Sequence, residues 1–189
     1  MIKLLFFAGS CRVQSLNKTL AKFAEKSIDH DLVETTFINL AAYDIPLYNG
    51  DNEEAYGVPN DASTLKRIFD AHDGLFIASP EYNGSYSAVL KNTIDWLFRR
   101  PEDNLIPFKN KVVALASASP FAAGGLRGLV PLRMLMNNMD CHTVPSQFCL
   151  GHADKAFDDD GQLTDEHQLA MLNQTLDQWV ETTIALNAQ

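Results

Sequence analysis

Cysteine is scarce in this chain: Cys11, Cys141 and Cys149 are an odd set with no C-x-x-C spacing. That usage argues against a secreted disulfide scaffold and for a reducing compartment. Positive charge is also in deficit, with 15 Lys and Arg against 24 Asp and Glu and a formal net charge of −9. A surface this acidic repels phosphate backbones and anionic membranes, which argues against nucleic-acid binding and membrane attachment. Any anionic ligand must then be held by a local site working against the overall field. Long apolar runs are missing too. No stretch approaches the ~20 apolar residues of a membrane span, and Leu4 to Ala8 falls short of the ~7–15-residue core of a secretion signal. The N-terminus therefore reads as a buried strand, and the protein as cytoplasmic. No repeat, low-complexity tract or linker divides the 189 residues, so 1–189 is expected to form a single domain. Its 46% hydrophobic content suits a core that needs no disulfides.

What is there is a regular alternation of short apolar runs with longer amphipathic ones. Leu4 to Ala8, Val33 to Leu40, Gly74 to Ser79 and Lys111 to Ser117 read as strands, and a fifth starts at His142 to Val144. Between and after them, 16–29, 62–71, 87–98, 125–139 and 164–186 carry helical spacing, while 41–60, with Pro46, Gly50, Gly57 and Pro59, reads as a long loop. Strands apolar on both faces and alternating with helices require a parallel sheet covered on both sides. Five of them give an α/β fold of the flavodoxin-like type: a five-stranded, doubly wound parallel sheet with helices on both faces. In such sheets ligands bind outside the carboxyl ends of the strands, which directs attention to the loops after strands one, three and four.

The first of these, Gly9-Ser10-Cys11-Arg12-Val13-Gln14-Ser15-Leu16-Asn17, runs directly into a helix. It offers small hydrogen-bonding side chains (Ser10, Ser15, Asn17), a guanidinium (Arg12) and a helix N-terminus whose outward amides and macrodipole favour an anion. That combination suits a phosphate, although Ser15 as a plain helix cap and Arg12 as a surface charge is the alternative. It is neither the dinucleotide G-x-G-x-x-G nor the Walker G-x-x-x-x-G-K-[ST], which speaks against a Rossmann dehydrogenase or a kinase. The loop after strand three, Ser79-Pro80-Glu81-Tyr82-Asn83-Gly84-Ser85, offers backbone amides and one aromatic ring to a flat ligand, or is an ordinary strand-to-helix turn.

These loops, with Leu90-Lys91-Asn92-Thr93-Ile94-Asp95-Trp96-Leu97, Ser117-Ala118-Ser119-Pro120, Gly124-Gly125-Leu126-Arg127 and Ala156-Phe157-Asp158, occur in an order that resembles the NAD(P)H-dependent FMN reductase family. That family comprises flavodoxin-like quinone, azo and chromate reductases, and the resemblance covers nearly the whole chain. It implies an oxidoreductase that binds FMN, takes NAD(P)H as co-substrate and passes electrons to a small flat acceptor such as a quinone, azo compound or flavin. It further implies that Ser10, Arg12, Ser15, Leu16 and Asn17 hold the FMN phosphate. Pro80, Glu81, Tyr82, Asn83 and Gly84 would line the ribityl chain and ring, largely through backbone groups. Ser117, Ser119 and Gly124 would form the opposite wall. The cofactor carries the chemistry, so no catalytic acid or base is assigned.

A flavodoxin-like FMN electron carrier without NAD(P)H activity is the alternative on the same fold, and a non-flavin phosphate sensor is a third. The acidic surface fits the carrier; Arg12 and the long helix-three motif are reductase-like. Cys11 departs from the family pattern and is read either as a reactive thiol beside Arg12 or, as expected, a small buried filler. The resemblance also implies a homodimer or homotetramer. Trp96 and Arg99 lie off the main apolar stripe of helix three and would supply the pairing face, with a simple half-buried Trp as the alternative, and segment 41–60 would cover the neighbouring subunit's flavin.

Two other clusters point to no metal site. Cys141-His142, Cys149 and His152 have a spacing that fits no tight zinc knuckle, so buried Cys and surface His are expected. Asp158-Asp159-Asp160-Gly161 lacks the carboxylates at both ends of a calcium loop and reads as a solvated turn before the last helix, with Thr164 as its cap.

Overall fold

The computed structural model describes residues 1–99 and 104–188. The strands are β1 (Ile2–Ala8), β2 (Val33–Ile38), β3 (Gly74–Ala78), β4 (Val112–Ala118) and β5 (His142–Leu150). The helices are α1 (Leu16–Lys26), α2 (Gly50–Tyr56), α3 (Asn60–Asp70), α4 (Ala88–Phe98), α5 (Leu126–Asn138) and α6 (Glu166–Asn187). All strand pairings are parallel, in the order β2-β1-β3-β4-β5. This is the flavodoxin-like arrangement expected from the strand count.

Alternation in the strands divides the core into two layers. Leu4, Phe6, Phe76 and Ala114 face α1 and α6, while Leu5, Phe7, Leu75, Ile77 and Leu115 face α3, α4 and α5. Because both faces of β1, β3 and β4 are buried, their apolar residues run on without the polar alternation of a half-exposed strand. On the first layer Trp179 packs edge-on against Phe6 at 5.3 Å and donates its indole N–H to the Val112 carbonyl at 2.9 Å. A buried aromatic with its polar tip satisfied anchors α6 across the sheet.

Several elements differ from the sequence reading. Segment 41–60 is not all loop, since α2 occupies its middle and a 3₁₀ turn (Leu40–Ala42) opens it. Helix α2 buries none of its residues, so it leaves no apolar periodicity to find. Only its brackets are legible: Asn49 caps it through Asp51 N, and Gly57, at φ 76°, ends it. The last helix is capped by Asp165, whose carboxylate accepts from Gln168 N, rather than by Thr164. Strand β5 continues through Pro145 to Leu150, with an irregularity in its pairing to β4. There the Arg133 guanidinium donates to the Val144 carbonyl at 2.7 Å and the Gln147 side chain at 3.1 Å, satisfying acceptors on an edge strand.

Trp96 is not a free face on α4. It is 1% exposed, donates to the Pro46 carbonyl at 2.8 Å and meets Tyr48 edge-on at 5.0 Å. Segment 43–57 of the same chain covers it, and Arg99 joins that contact by pairing with Glu53 at 2.8 Å. Lys91 and Asp95 form the expected i,i+4 pair. Cys11 is exposed, so it is not a core filler. Cys141 is buried, Cys149 is half-buried, and His142 and His152 are exposed.

Candidate functional site

The sheet order places β1 and β3 side by side while their following connections leave in opposite directions. Loops after such a switch point splay apart at the carboxyl edge and leave a crevice. Here it is a cleft of about 290 Å³ bounded by the loops after β1, β3 and β4. The β1 loop contributes Ser10, Arg12, Ser15, Leu16 and Asn17, and the β3 loop contributes Pro80, Glu81 and Tyr82. Ala118, Ser119, Pro120 and Phe121 form the third wall.

Helix α1 enters the cleft by its N-terminus. Ser15 is the N-cap, accepting from Lys18 N at 3.3 Å, and no acidic residue sits in the first turn. The positive end of the helix is therefore uncompensated from within. Asn17 is buried and holds the Ala118 backbone from both sides, so its amide closes the floor of the cleft between two loops. Ser10 accepts from Arg12 N, which turns the loop back on itself. The Arg12 side chain is exposed, and among the described residues its guanidinium has no hydrogen-bond or ion-pair partner. A full positive charge without a carboxylate, beside a helix N-terminus in a protein of net −9, is an arrangement for binding an anion.

The β3 loop folds as a two-residue hairpin. Tyr82 and Ser85 exchange both backbone hydrogen bonds, and Asn83 and Gly84 between them take positive φ values of 53° and 79°. Asn-Gly is the dipeptide this turn favours, because both central residues must adopt that conformation. The turn projects Tyr82 at the rim, half exposed, while Asn83 and Gly84 sit at the tip and do not line the cleft. The Glu81 carboxylate points away to α5, where it accepts from Arg127 N and Nε.

Two other expected residues stand behind the wall. Ser117 is fully buried and donates to the Gly124 carbonyl at 2.6 Å. Gly124, at φ 61°, lies so close to β5 that a Cβ would come within 2.8 Å of the Cys149 carbonyl carbon. Both shape the β4 loop without facing the cleft. Ala118, Pro120 and Phe121 were absent from the sequence expectation of site residues. Phe121 is an exposed aromatic directly after Pro120, which was the available signal.

The buried and half-buried thiols lie outside the lining of the cleft. Burial pushes the Cys141 thiol up to about 12, and its Sγ donates to the Phe108 carbonyl. Burial also raises Cys149. No trio of His, Cys, Asp or Glu that would hold a metal ion occurs among the described residues.

FMN fits these residues. Its phosphate would meet a helix N-terminus and a guanidinium that has no partner among the described residues, and its flat ring would find a cleft with a tyrosine at the lip.

Comparison with known proteins places the chain in a family. The family model described as NADPH-dependent FMN reductase matches residues 2–155. An NAD(P)H-dependent FMN reductase of Pseudomonas aeruginosa is 34% identical over 177 residues, covering 93% of this chain and 91% of that protein. A quinone reductase of Escherichia coli is 32% identical over 139 residues, covering 74% and 71%. Among solved structures, a flavoenzyme NAD(P)H:(acceptor) oxidoreductase from Paracoccus denitrificans superposes with a TM-score of 0.78 at 27% identity, covering 97% of this chain and 99% of that one. By its cleft, its fold and its sequence, the chain belongs to the NADPH-dependent FMN reductase family.

Proposed function

We propose that this chain is an NAD(P)H-dependent, FMN-containing oxidoreductase that reduces a small flat acceptor of the quinone, azo or flavin kind. The observation that carries the cofactor assignment is the unpaired Arg12 guanidinium beside the N-terminus of α1 at the β1/β3 switch point. Arg12, Ser10 and the first amides of α1 would hold the phosphate, and there is no second phosphate loop of the dinucleotide type. When bound, FMN supplies the redox chemistry, accepting a hydride from reduced nicotinamide and passing electrons on. Pro80, Tyr82 and the β4 loop would orient the ring, and backbone amides around it would stabilise negative charge as it develops. The cleft is at the lower end of the ~300–1,000 Å³ usual for ligand sites. A shallow slot would leave one ring face open, so that one position could serve the nicotinamide and the acceptor in turn.

Two copies of the chain would pair, with α5 as the contact. Its Leu126, Val130 and Met134 are exposed at i, i+4 and i+8, and they form an apolar stripe beside the cleft. The earlier expectation that Trp96 supplies this contact loses its support, because its own chain covers it. Sedimentation of the wild type and of a Val130→Asp/Met134→Asp variant tests the pairing. No described helix is long and apolar enough to cross a membrane. The free cysteines fit a cytoplasmic site.

Anaerobic mixing with NADPH in a stopped-flow instrument tests the function. Bleaching of the flavin band within seconds, followed by ping-pong kinetics with a quinone, is the expected result. Flavin that stays oxidised until a separate reductase is added would identify an electron carrier instead.

A further inference from the structure

Helix α5 begins without a capping side chain of its own. Its N-cap is Gly125, in the left-handed region at φ 90°. The amide of Arg127 is therefore one of the orphan donors that every helix start leaves. Glu81, 46 residues earlier in the β3 loop, fills that position from outside. Its Oε2 accepts from Arg127 N at 3.1 Å, and its Oε1 accepts from Arg127 Nε at 2.8 Å with Nη2 also at 2.8 Å. The approach depends on missing side chains. A Cβ on Gly128 would stand 3.2 Å from Glu81 Cα and 3.1 Å from the Ser85 carbonyl oxygen. The two ends of the pair differ in exposure, with 11% for the Glu81 side chain and 80% for Arg127. The carboxylate is part of the wall, and the guanidinium closes over it from solvent.

The hairpin has little else to hold it. Among the described residues, the hydrogen bonds of 80–84 stay within the loop or its own flanks, except those made by the Glu81 carboxylate. Loop 79–85 and the β4 loop are two of the three walls of the cleft, so the Glu81 latch sets the distance between them.

We propose that Glu81 is a positioning residue of the flavin site: with Arg127 and the α5 N-terminus it locks the β3 hairpin against the β4 wall, and so fixes the slot in which the ring lies. This rests on the function proposed above. The Glu81 carboxylate acts through α5, to which it is turned. Small losses of register between reacting groups cost rate steeply, so a loosened hairpin is expected to lower turnover more than it lowers stability.

The test uses the wild type, Glu81→Ala, Glu81→Gln, Arg127→Ala and the Glu81→Ala/Arg127→Ala double variant. FMN titration of each apoprotein, followed by fluorescence quenching, is combined with its melting curve and with kcat and KM for NADPH in the loaded form. Glu81→Ala should fold, bind FMN on the order of tenfold more weakly, shift the bound flavin's visible spectrum, and lose on the order of 10- to 100-fold in kcat. Arg127→Ala leaves the Arg127 amide bonded to Glu81 and should have a smaller effect. The double variant should match Glu81→Ala, because the arginine side chain works only through the carboxylate. If Glu81→Ala does not fold, Glu81→Gln keeps an acceptor for the amide and drops the ion pair; a several-fold loss of FMN affinity then supports the proposal, and wild-type affinity overturns it. Wild-type FMN affinity, spectrum and kcat in Glu81→Ala, or additive losses in the double variant, would also overturn it. Failure of the wild-type apoprotein to bind FMN would overturn the functional reading and this proposal together, whereas failure confined to the variants' predicted losses overturns this proposal alone.

Discussion

Asn17 and Ala118 lie 101 residues apart in the chain and exchange two hydrogen bonds, Asn17 Nδ2 to the Ala118 carbonyl and Ala118 N to Asn17 Oδ1, each 2.9 Å long. The side-chain amide imitates a strand partner on the side of β4 that β3 vacates when it ends at Ala78, while β5 still pairs the other side. It is buried, so neither backbone group has water to fall back on. Asn17→Ala should therefore destabilise the fold by about 1–3 kcal/mol, the cost of stranding buried polar groups. At this chain length that corresponds to a melting point roughly 2–10 °C lower. Differential scanning calorimetry checks it, and an unchanged melting point would mean that water reaches Ala118.

Arg12→Ala should give the opposite pattern. Its guanidinium has no hydrogen-bond or ion-pair partner among the described residues, so the fold and the melting point of the apoprotein should be unchanged. FMN binding should weaken by about 1.5–3 kcal/mol, or ten- to a hundredfold, through the lost charge-assisted contact. Isothermal titration with FMN measures this, and an unaltered affinity would put the phosphate elsewhere. The flavin released on denaturing the wild type should chromatograph as FMN and not FAD.

Gly124 and Gly84 both have positive φ, at 61° and 79°, yet their surroundings differ. Nothing lies within 4 Å of a Cβ at Gly84, so Gly84→Ala should cost only about 1–2 kcal/mol of backbone strain. A Cβ at Gly124 would strike the Cys149 and Leu150 backbone at 2.8 and 2.9 Å. Gly124→Ala should cost about 3 kcal/mol or more and displace the β4 wall. Urea unfolding of the two variants side by side should rank them in that order.

Acid should loosen the strap formed by segment 43–57. The hydrogen bond from Arg99 holds the Glu53 carboxyl below its ordinary value of 4.5, and the Tyr48 hydroxyl adds to this against the opposing effect of burial. A carboxyl whose folded value is depressed stabilises the fold above its unfolded value and loses that contribution as pH falls through the folded one. Limited proteolysis of the strap should accelerate below about pH 4.5, and Glu53→Gln should remove this dependence. Fast cleavage of the wild type at neutral pH would contradict it.

The cysteines should react in an order set by exposure. Cys11 is open to solvent, whereas Cys141 is buried with its thiol raised to about 12. With iodoacetamide at pH 8, mass spectrometry should find Cys11 labelled first and Cys141 only after unfolding.

The sequence by itself determined the sheet, because a strand buried on both faces must be apolar throughout. Leu4 to Ala8, Gly74 to Ala78 and Val112 to Ala116 announce that without any knowledge of their neighbours. The Asn83-Gly84 turn was also written locally, since few dipeptides tolerate two successive positive φ angles. Helix α2 was not legible: it buries nothing, and its contacts lie on α4, where Tyr48, Glu53, Trp96 and Arg99 meet only after the chain has folded back. The same limit separates the site residues into roles. Ser10, Arg12, Ser15, Asn17, Glu81 and Ser117 are all polar residues at or next to the carboxyl edge of the sheet, and nothing in their order distinguishes them. Tertiary structure leaves the Arg12 guanidinium without a partner among the described residues, commits Asn17 to Ala118, turns Glu81 to α5 and buries Ser117 under Gly124. Which polar group stays free for a ligand depends on which backbone groups elsewhere need a partner, and loops brought together from distant parts of the chain decide that.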